Sequence, residues 1–172
     1  FGLNARGMVL VEPVFLPEEF YKVQITVEQH PLAAKSIKRK NHWASEDEAR
    51  SYLQSRSLFQ EWDPEMLDLY SRYGLTAGDG GGLQLTCSPE REAALFMGGL
   101  QHNPWPEAAK TACPVLILEG EKSEQRAFVD LPRVASLFPR GSHRLIEGAG
   151  HLIPMEKPRV VTEAIREFFG NG

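Results

Sequence analysis

The chain has 172 residues, of which 42% are hydrophobic and 24% are charged, and its formal net charge is −4. This size and composition fit a soluble globular protein, and the mildly acidic balance argues against nucleic acid as a partner. No apolar run approaches the roughly 18 residues that a membrane span needs, which argues against a membrane partner as well. The two cysteines, Cys87 and Cys113, form neither a C-x-x-C motif nor a disulfide framework, so we expect a reducing, cytoplasmic environment.

The first organised segment, GMVLVEP at residues 7–13, is an apolar run that ends at Glu12 and Pro13. A run that is apolar on both faces is typical of a strand buried between two helix layers in a parallel sheet. We therefore predict a strand at residues 7–12. A carboxylate at the end of such a strand is costly unless it has a partner, so Glu12 is expected to be paired.

The long middle part of the chain, residues 17–107, has the pattern of several capped helices. Ser45, Asp63 and Ser88 are residue types that favour the N-cap, and a helical pattern follows each of them. The glycine-rich run at residues 78–82 lacks the Lys-Ser/Thr of a phosphate-binding loop. We predict that this run is a flexible turn between helices, and that the middle part contains almost no buried strand.

Two later segments, CPVLILEGEK and SHRLIEGAG, predict strands at residues 114–119 and 143–147. The first repeats the apolar pattern, and the second is shorter and more polar, as expected nearer a sheet edge. A helix is predicted between residues 127 and 138, where Pro132 either kinks the helix or marks its start. Each strand is followed by helical sequence, which is the signature of βαβ units and a parallel sheet.

A histidine, His151, follows the last predicted strand on a Gly-Ala-Gly turn, just before an amphipathic helix. The glycines let the backbone bend sharply, so that the imidazole can point back across the edge of the sheet. That edge is where open α/β sheets place their ligand crevice. An imidazole whose ordinary pKa is near 6.5 suits a base that takes up a proton and returns it, although a plain surface turn is the alternative.

The other four histidines, His30, His42, His102 and His143, show no metal-ligand spacing and are interpreted as ordinary structural residues. Nothing in the sequence predicts a cofactor or a metal site.

The order of these elements, together with the pattern G-A-G-H-x-x-x-x-E-x-P from Gly148 to Pro158, resembles the C-terminal half of an α/β-hydrolase. The resemblance implies an α/β fold whose partial core, residues 1–16 and 108–172, consists of parallel strands flanked by helices. It also implies that residues 17–107 are an inserted helical cap, or lid, over the active site. His151 takes the place of the family's catalytic histidine.

The family's nucleophile lies on a G-x-S-x-G elbow that comes before the sixth strand of the sheet. The sequence contains neither this elbow nor a G-x-D-x-G equivalent. If residues 7–12 are the sixth strand, the elbow lies upstream of Phe1. We therefore expect the chain to be a C-terminal fragment whose partner is the missing N-terminal half of the fold, and we expect the isolated chain to be inactive.

The resemblance leaves three choices for the acid that pairs with His151. The family usually places an aspartate after the seventh strand, but here that turn reads G-E-K-S, with Ser123 at the customary position. Glu121 and Glu124 are close enough in sequence to replace it. In the haloalkane-dehalogenase branch a glutamate follows the sixth strand instead, and Glu12 occupies that kind of position. We predict Glu12 as the acid, because pairing with the histidine compensates its charge and fixes the tautomer of the imidazole.

The predicted function is hydrolysis of an ester or related acyl bond in a small apolar substrate. Within the same resemblance, the parent protein could instead be a dehalogenase or an epoxide hydrolase, depending on its nucleophile. A truncated or degenerate, non-catalytic binding module is the third hypothesis. Aromatic side chains of the middle part, among them Trp43, Trp62 and Tyr70, could line a substrate pocket, but most of them are expected to be core.

Overall fold

The computed structural model describes residues 5–170. Its strands are β1 (Met8–Val11), β2 (Leu75–Ala77), β3 (Leu83–Leu85), β4 (Val115–Gly120) and β5 (Gly141–Ile146). Its α-helices are α1 (Pro31–Ile37), α2 (Glu46–Gln54), α3 (Pro64–Tyr73), α4 (Pro89–Gly99), α5 (Trp105–Ala108), α6 (Leu131–Leu137), α7 (Ile153–Glu156) and α8 (Pro158–Gly170). The extreme ends of the predicted core, residues 1–4 and 171–172, lie outside the described residues.

The chain forms two compact units. The first takes in the chain up to Glu18 and again from Asn103 onward, and the second runs from Glu19 to His102. Among the described helices of both units, none combines the length and the apolar character that a membrane span requires.

The core of the first unit is a parallel sheet in the order β1-β4-β5. Every residue of the central strand, β4, is buried. Val115 and Ile117 pack in one apolar layer with α6, while Leu116 and Leu118 pack on the other face with α8. This arrangement confirms the predicted parallel sheet flanked by helices. Pro132 lies in the first turn of α6, so it marks a helix start rather than a kink.

The sheet order brings the carboxyl ends of β1 and β5 to the same edge, with β4 between them. Glu12 follows β1 directly, and the Gly-Ala-Gly turn that carries His151 begins two residues after the end of β5. The topology therefore lets residues that are far apart in sequence meet at this edge.

The second unit contains helices α1 to α4, and three of the predicted caps are present. The side chains of Ser45, Asp63 and Ser88 each accept a hydrogen bond from a backbone N–H in the first turn of the helix that follows. These bonds satisfy donors that a helix start otherwise leaves unpaired, so they define where the helices begin.

The second unit also contains a β-hairpin, so the predicted turn at residues 78–82 connects two strands rather than two helices. Strands β2 and β3 are antiparallel, and the glycine run connects them, with Gly81 and Gly82 at positive φ. Leu75 and Leu85, one from each strand, are buried in a cluster with Trp43. Strands of only three residues are too short to show a period of two in the sequence, and this packing stabilises them instead.

The aromatic side chains of the second unit serve mainly as its core. Trp43 is 1% exposed and packs against Tyr52 with ring centroids 5.6 Å apart. Phe59, Trp62 and Tyr70 contact one another in a separate cluster, with centroid distances between 4.8 and 5.6 Å. These contacts give each of these side chains a place in the apolar clusters of the second unit.

Candidate active site

Glu12 has an unusual backbone conformation and an unusual environment. Its φ is +47°, and it is the one non-glycine residue with positive φ within residues 5–170. Holding a residue of this kind in the left-handed region costs on the order of 1–3 kcal/mol. The side chain is also buried, with only 5% of the residue exposed. Residues with such local strain cluster at active sites and ligand-binding sites, where the surrounding structure holds them in place.

Three donors surround the carboxylate of Glu12. Gly120 donates its backbone N–H to Oε1 at 2.5 Å, and the Ser123 hydroxyl donates to Oε2 at 2.7 Å. The same Oε2 lies 3.0 Å from Nδ1 of His151. Burial works against ionisation of Glu12, but the hydrogen bonds from His151, Gly120 and Ser123 outweigh it and lower the pKa of the carboxyl group below its usual range. Glu12 is therefore an anion at neutral pH.

The contact with Glu12 fixes the state of the imidazole of His151. An ionised carboxylate can only accept hydrogen bonds, so Nδ1 carries the hydrogen and Nε2 is the acceptor of the neutral ring. The side chain is 47% exposed, which leaves the ring accessible. Hydrogen bonding to Glu12 raises the pKa of His151; burial opposes this shift, and the negative charges of Glu12 and Glu156 add to it. The ring is thus prepared to accept and hold a proton.

The turn that carries His151 is stabilised by a carboxylate from the next helix. Gly148, with φ at +68°, provides the sharp bend before the histidine. Glu156, at the end of α7, accepts hydrogen bonds from the backbone N–H of Gly150 at 2.5 Å and of Leu152 at 3.2 Å. These two bonds flank His151 and fix the backbone from which the imidazole projects.

The turn that follows β4 and the turn that carries His151 are in direct contact at Gly120. A Cβ at this position would overlap the carbonyl oxygens of Gly150 and Ala149, so only glycine allows the approach. Lys122 strengthens the contact by donating its backbone N–H to the oxygen of Ala149 at 2.8 Å. The end of β4 and the histidine turn therefore behave as one packed unit.

Comparison with protein-family models and with curated proteins finds no match. Solved structures do match. An E-2-(acetamidomethylene)succinate hydrolase is 21% identical with a TM-score of 0.73, and a peroxisomal α/β-hydrolase of Saccharomyces cerevisiae is 18% identical with a TM-score of 0.74. A thermophilic esterase from Thermogutta terrifontis is 22% identical with a TM-score of 0.58. The chain has the fold of the C-terminal part of an α/β-hydrolase.

The matches cover almost all of this chain but only part of each solved structure. They include 96%, 95% and 96% of the chain, but 57%, 45% and 56% of the respective hydrolases. The chain thus spans about half the length of these proteins. At these identities the likeness establishes the α/β-hydrolase fold, and the chemistry must be argued from the site.

Of the three acids considered for this hydrolase fold, only Glu12 is hydrogen bonded to His151 among the described residues. The carboxylate of Glu121 is directed elsewhere and accepts from the backbone N–H of Gly148 at 2.8 Å. Glu124 is exposed at the start of a short 3-10 turn. The structure therefore brings the two predicted site residues together, and their catalytic roles stay predictions.

The role of Ser123 in the site has no sequence signal strong enough to reveal it. Ser123 departs from the hydrolase pattern in the sequence, but its donation to Glu12 depends on the three-dimensional fold.

Sequence reasoning also misses a second histidine–carboxylate pair. Nε2 of His143 lies 2.7 Å from Oε2 of Glu119, which is 2% exposed, and Arg126 lies 3.7 Å from the same oxygen. The interpretation of His143 as an unremarkable histidine overlooked this partner.

Replacing Gly120 with alanine should destabilise the protein by about 2–3 kcal/mol, because the new Cβ overlaps backbone carbonyls that cannot move easily. Denaturant unfolding of the protein that contains this chain measures the effect. Gly98→Ala is the matched control, since a Cβ there has no neighbour within 4 Å and the residue lies in α4. The control should be unchanged or more stable by about 0.5–1 kcal/mol. Equal stability of Gly120→Ala and wild type would contradict the close approach.

Proposed function

We propose that the full-length protein, meaning this chain together with the rest of its α/β-hydrolase fold, hydrolyses an ester or related acyl bond in a small apolar substrate. His151 is the general base and Glu12 is the acid that supports it. The observation that carries this proposal is the 3.0 Å contact between Glu12 Oε2 and His151 Nδ1 at the carboxyl edge of the parallel sheet. The hydrolases and the esterase of similar fold support the reaction class.

The proposed mechanism assigns a different role to each ring nitrogen of His151: Nε2 transfers the proton, and Nδ1–H binds the carboxylate of Glu12. Nε2 of His151 takes the proton from the nucleophile's hydroxyl as its oxygen attacks the acyl carbon. The imidazolium that forms is stabilised by the ionised carboxylate of Glu12 through Nδ1–H. The same proton then passes from Nε2 to the departing alkoxide, which leaves as an alcohol. Water next attacks the acyl group on the nucleophile and gives one proton to Nε2, and that proton returns to the nucleophile's oxygen as the carboxylic acid leaves. The raised pKa of His151 favours the first transfer.

The nucleophile itself has to come from outside these 172 residues, because the sequence contains no G-x-S-x-G elbow. The chain contributes the base and the acid only. In comparable systems the loss of the nucleophile costs roughly six orders of magnitude in kcat. We therefore expect no triad-type turnover from the chain by itself, and the tests below use the full-length protein.

The position of Glu12 favours a second candidate within the same fold. A glutamate directly after this strand is the placement that resembles the haloalkane-dehalogenase branch. In that case a carboxylate nucleophile would attack the carbon that carries the halogen, and halide would leave. His151 would then activate the water that hydrolyses the resulting ester intermediate. The two candidates differ in their nucleophile and share the Glu12–His151 pair.

Two assays on the full-length protein separate these candidates. We expect saturable hydrolysis of p-nitrophenyl butyrate, measured through the release of p-nitrophenolate. We expect no halide release from 1-bromobutane. Halide release without ester hydrolysis would replace the acyl hydrolase by the dehalogenase. Failure to turn over either substrate class, in a folded protein, would favour a non-catalytic binding module and contradict the proposal.

A further inference from the structure

We infer that Ser123 is a positioning residue that holds the carboxylate of Glu12 in the orientation required by His151. Ser123 occupies the place where the hydrolase pattern has its acid, and the hydroxyl there supports an acid that comes from another strand. The inference rests on the proposed function, because it assigns Ser123 a part in the same acid–base pair.

The first observation is that Ser123 and His151 share one oxygen. The hydroxyl of Ser123 donates to Glu12 Oε2 at 2.7 Å, and Nδ1 of His151 lies 3.0 Å from that oxygen. Ser123 is 5% exposed, so water does not readily replace its hydroxyl. With Oε1 held by the N–H of Gly120, the plane of the carboxylate is fixed from both sides.

The second observation is that the turn containing Ser123 also holds the backbone next to Glu12. Ser123 is the N-cap of the 3-10 turn Glu124–Ala127, and its hydroxyl oxygen accepts from the N–H of Gln125 at 3.3 Å. The side-chain amide of Gln125 donates to the carbonyl oxygen of Pro13 at 2.9 Å. One short turn therefore restrains both the side chain of Glu12 and the residue after it.

These restraints matter because the conformation of Glu12 is strained. With φ at +47°, the backbone alone favours relaxation to another region, which would move the carboxylate away from the histidine. Without the hydroxyl of Ser123, Oε2 loses one of its two donors and the carboxylate gains rotational freedom. The hydrogen bond to His151 weakens, and the pKa of the imidazole falls toward its ordinary value.

The test compares three variants of the full-length protein. Ser123→Ala removes the hydroxyl, and Ser123→Thr retains it in case the alanine variant loses the cap of the turn. Ser136→Ala is the control, because Ser136 is exposed on α6 and its hydroxyl bonds only locally, to the oxygen of Arg133. Two quantities are measured: the pKa of His151 by NMR titration, and kcat and KM for p-nitrophenyl butyrate as a function of pH.

For Ser123→Ala we expect a lower pKa of His151 and an acidic limb of kcat/KM displaced to lower pH. We also expect kcat to fall roughly ten- to hundredfold with KM nearly unchanged, which is the scale of a hydrogen bond to a charged group. Ser123→Thr should recover most of both losses, and Ser136→Ala should match wild type. A purely structural role would lower the melting temperature but leave the pKa and the pH profile unmoved.

The two measurements separate this inference from the proposed function. If the wild-type protein hydrolyses no ester but Ser123→Ala still lowers the pKa of His151, the positioning role stands and the hydrolase proposal fails. If wild type is active and the pKa of His151 in Ser123→Ala stays at or above the wild-type value, the positioning role is overturned and the hydrolase proposal stands.

Discussion

Replacing His151 with alanine should reduce ester hydrolysis by the full-length protein by roughly four to six orders of magnitude in kcat. The imidazole is the one group of the described site that can both accept a proton from the nucleophile and return it to the leaving group. Its removal leaves Glu12 with the donors Gly120 and Ser123, so the buried charge keeps two hydrogen bonds. The fold should therefore survive while the chemistry is lost.

Steady-state hydrolysis of p-nitrophenyl butyrate measures the loss, and circular dichroism with thermal melting checks the fold. His102→Ala is the matched control, because it removes an exposed imidazole that is not hydrogen bonded to Glu12 among the described residues. The control should retain wild-type kcat and KM. A folded His151→Ala variant with more than about one tenth of the wild-type kcat would remove His151 from the mechanism.

Replacing Glu12 with glutamine should lower kcat by roughly four orders of magnitude with little change in KM. Glutamine keeps the volume of the side chain but carries no charge, so it cannot stabilise an imidazolium. Its amide can also present a donor to Nδ1, which favours the wrong tautomer and directs the hydrogen to Nε2. The effect appears in kcat because the charge on the histidine develops during the reaction.

The matched control for this variant is Glu121→Gln. Glu121 is an exposed carboxylate in the neighbouring turn and was one of the alternative acids. The control should retain activity within a few-fold of wild type. If Glu121→Gln were impaired and Glu12→Gln were active, the acid would belong to the turn after β4.

The Glu12–His151 pair should also stabilise the fold over a defined pH window. The pKa of Glu12 is lowered from 4.5, so its contribution is fully present above that pH and is lost as pH falls through the lowered value. The pKa of His151 is raised from 6.5, so its contribution is fully present below that pH and is lost as pH rises through the raised value. Both contributions are complete between these two ordinary values, where both groups are charged.

The sequence predicts the parts of the fold whose physical signal is local. Continuous apolar runs identify β1 and β4, because a strand between two helix layers has to be apolar throughout. The segment of β5 is more polar and mostly exposed, as expected for a strand near the edge of the sheet. The isolated charge at Glu12 indicates a buried carboxylate that needs a partner. The glycine turn before His151 predicts an imidazole at the same sheet edge, and the resemblance to the haloalkane-dehalogenase branch favours Glu12 over Glu121 and Glu124 as its partner.

The features that sequence reasoning missed depend on contacts between distant residues. Ser123 and Glu12 are 111 residues apart, and their hydrogen bond follows from the register of β1 beside β4. The pairing of His143 with Glu119 likewise requires β5 beside β4. Sequence reasoning missed the β2–β3 hairpin for another reason. Its strands are stabilised by packing on Trp43, and their sequence shows no strand pattern of its own.

The most direct test of the central claim, that Glu12 supports His151 as the base, is an NMR titration of the His151 ring in the full-length wild type and in Glu12→Gln. Ring protons assigned through the loss of their signal in His151→Ala report the pKa without any assumption about the substrate. The wild-type pKa should lie above 6.5, and it should fall in Glu12→Gln because the hydrogen bond and the negative charge that favour the imidazolium are gone. A wild-type pKa at or below 6.5, or the same pKa in both proteins, would contradict the pairing.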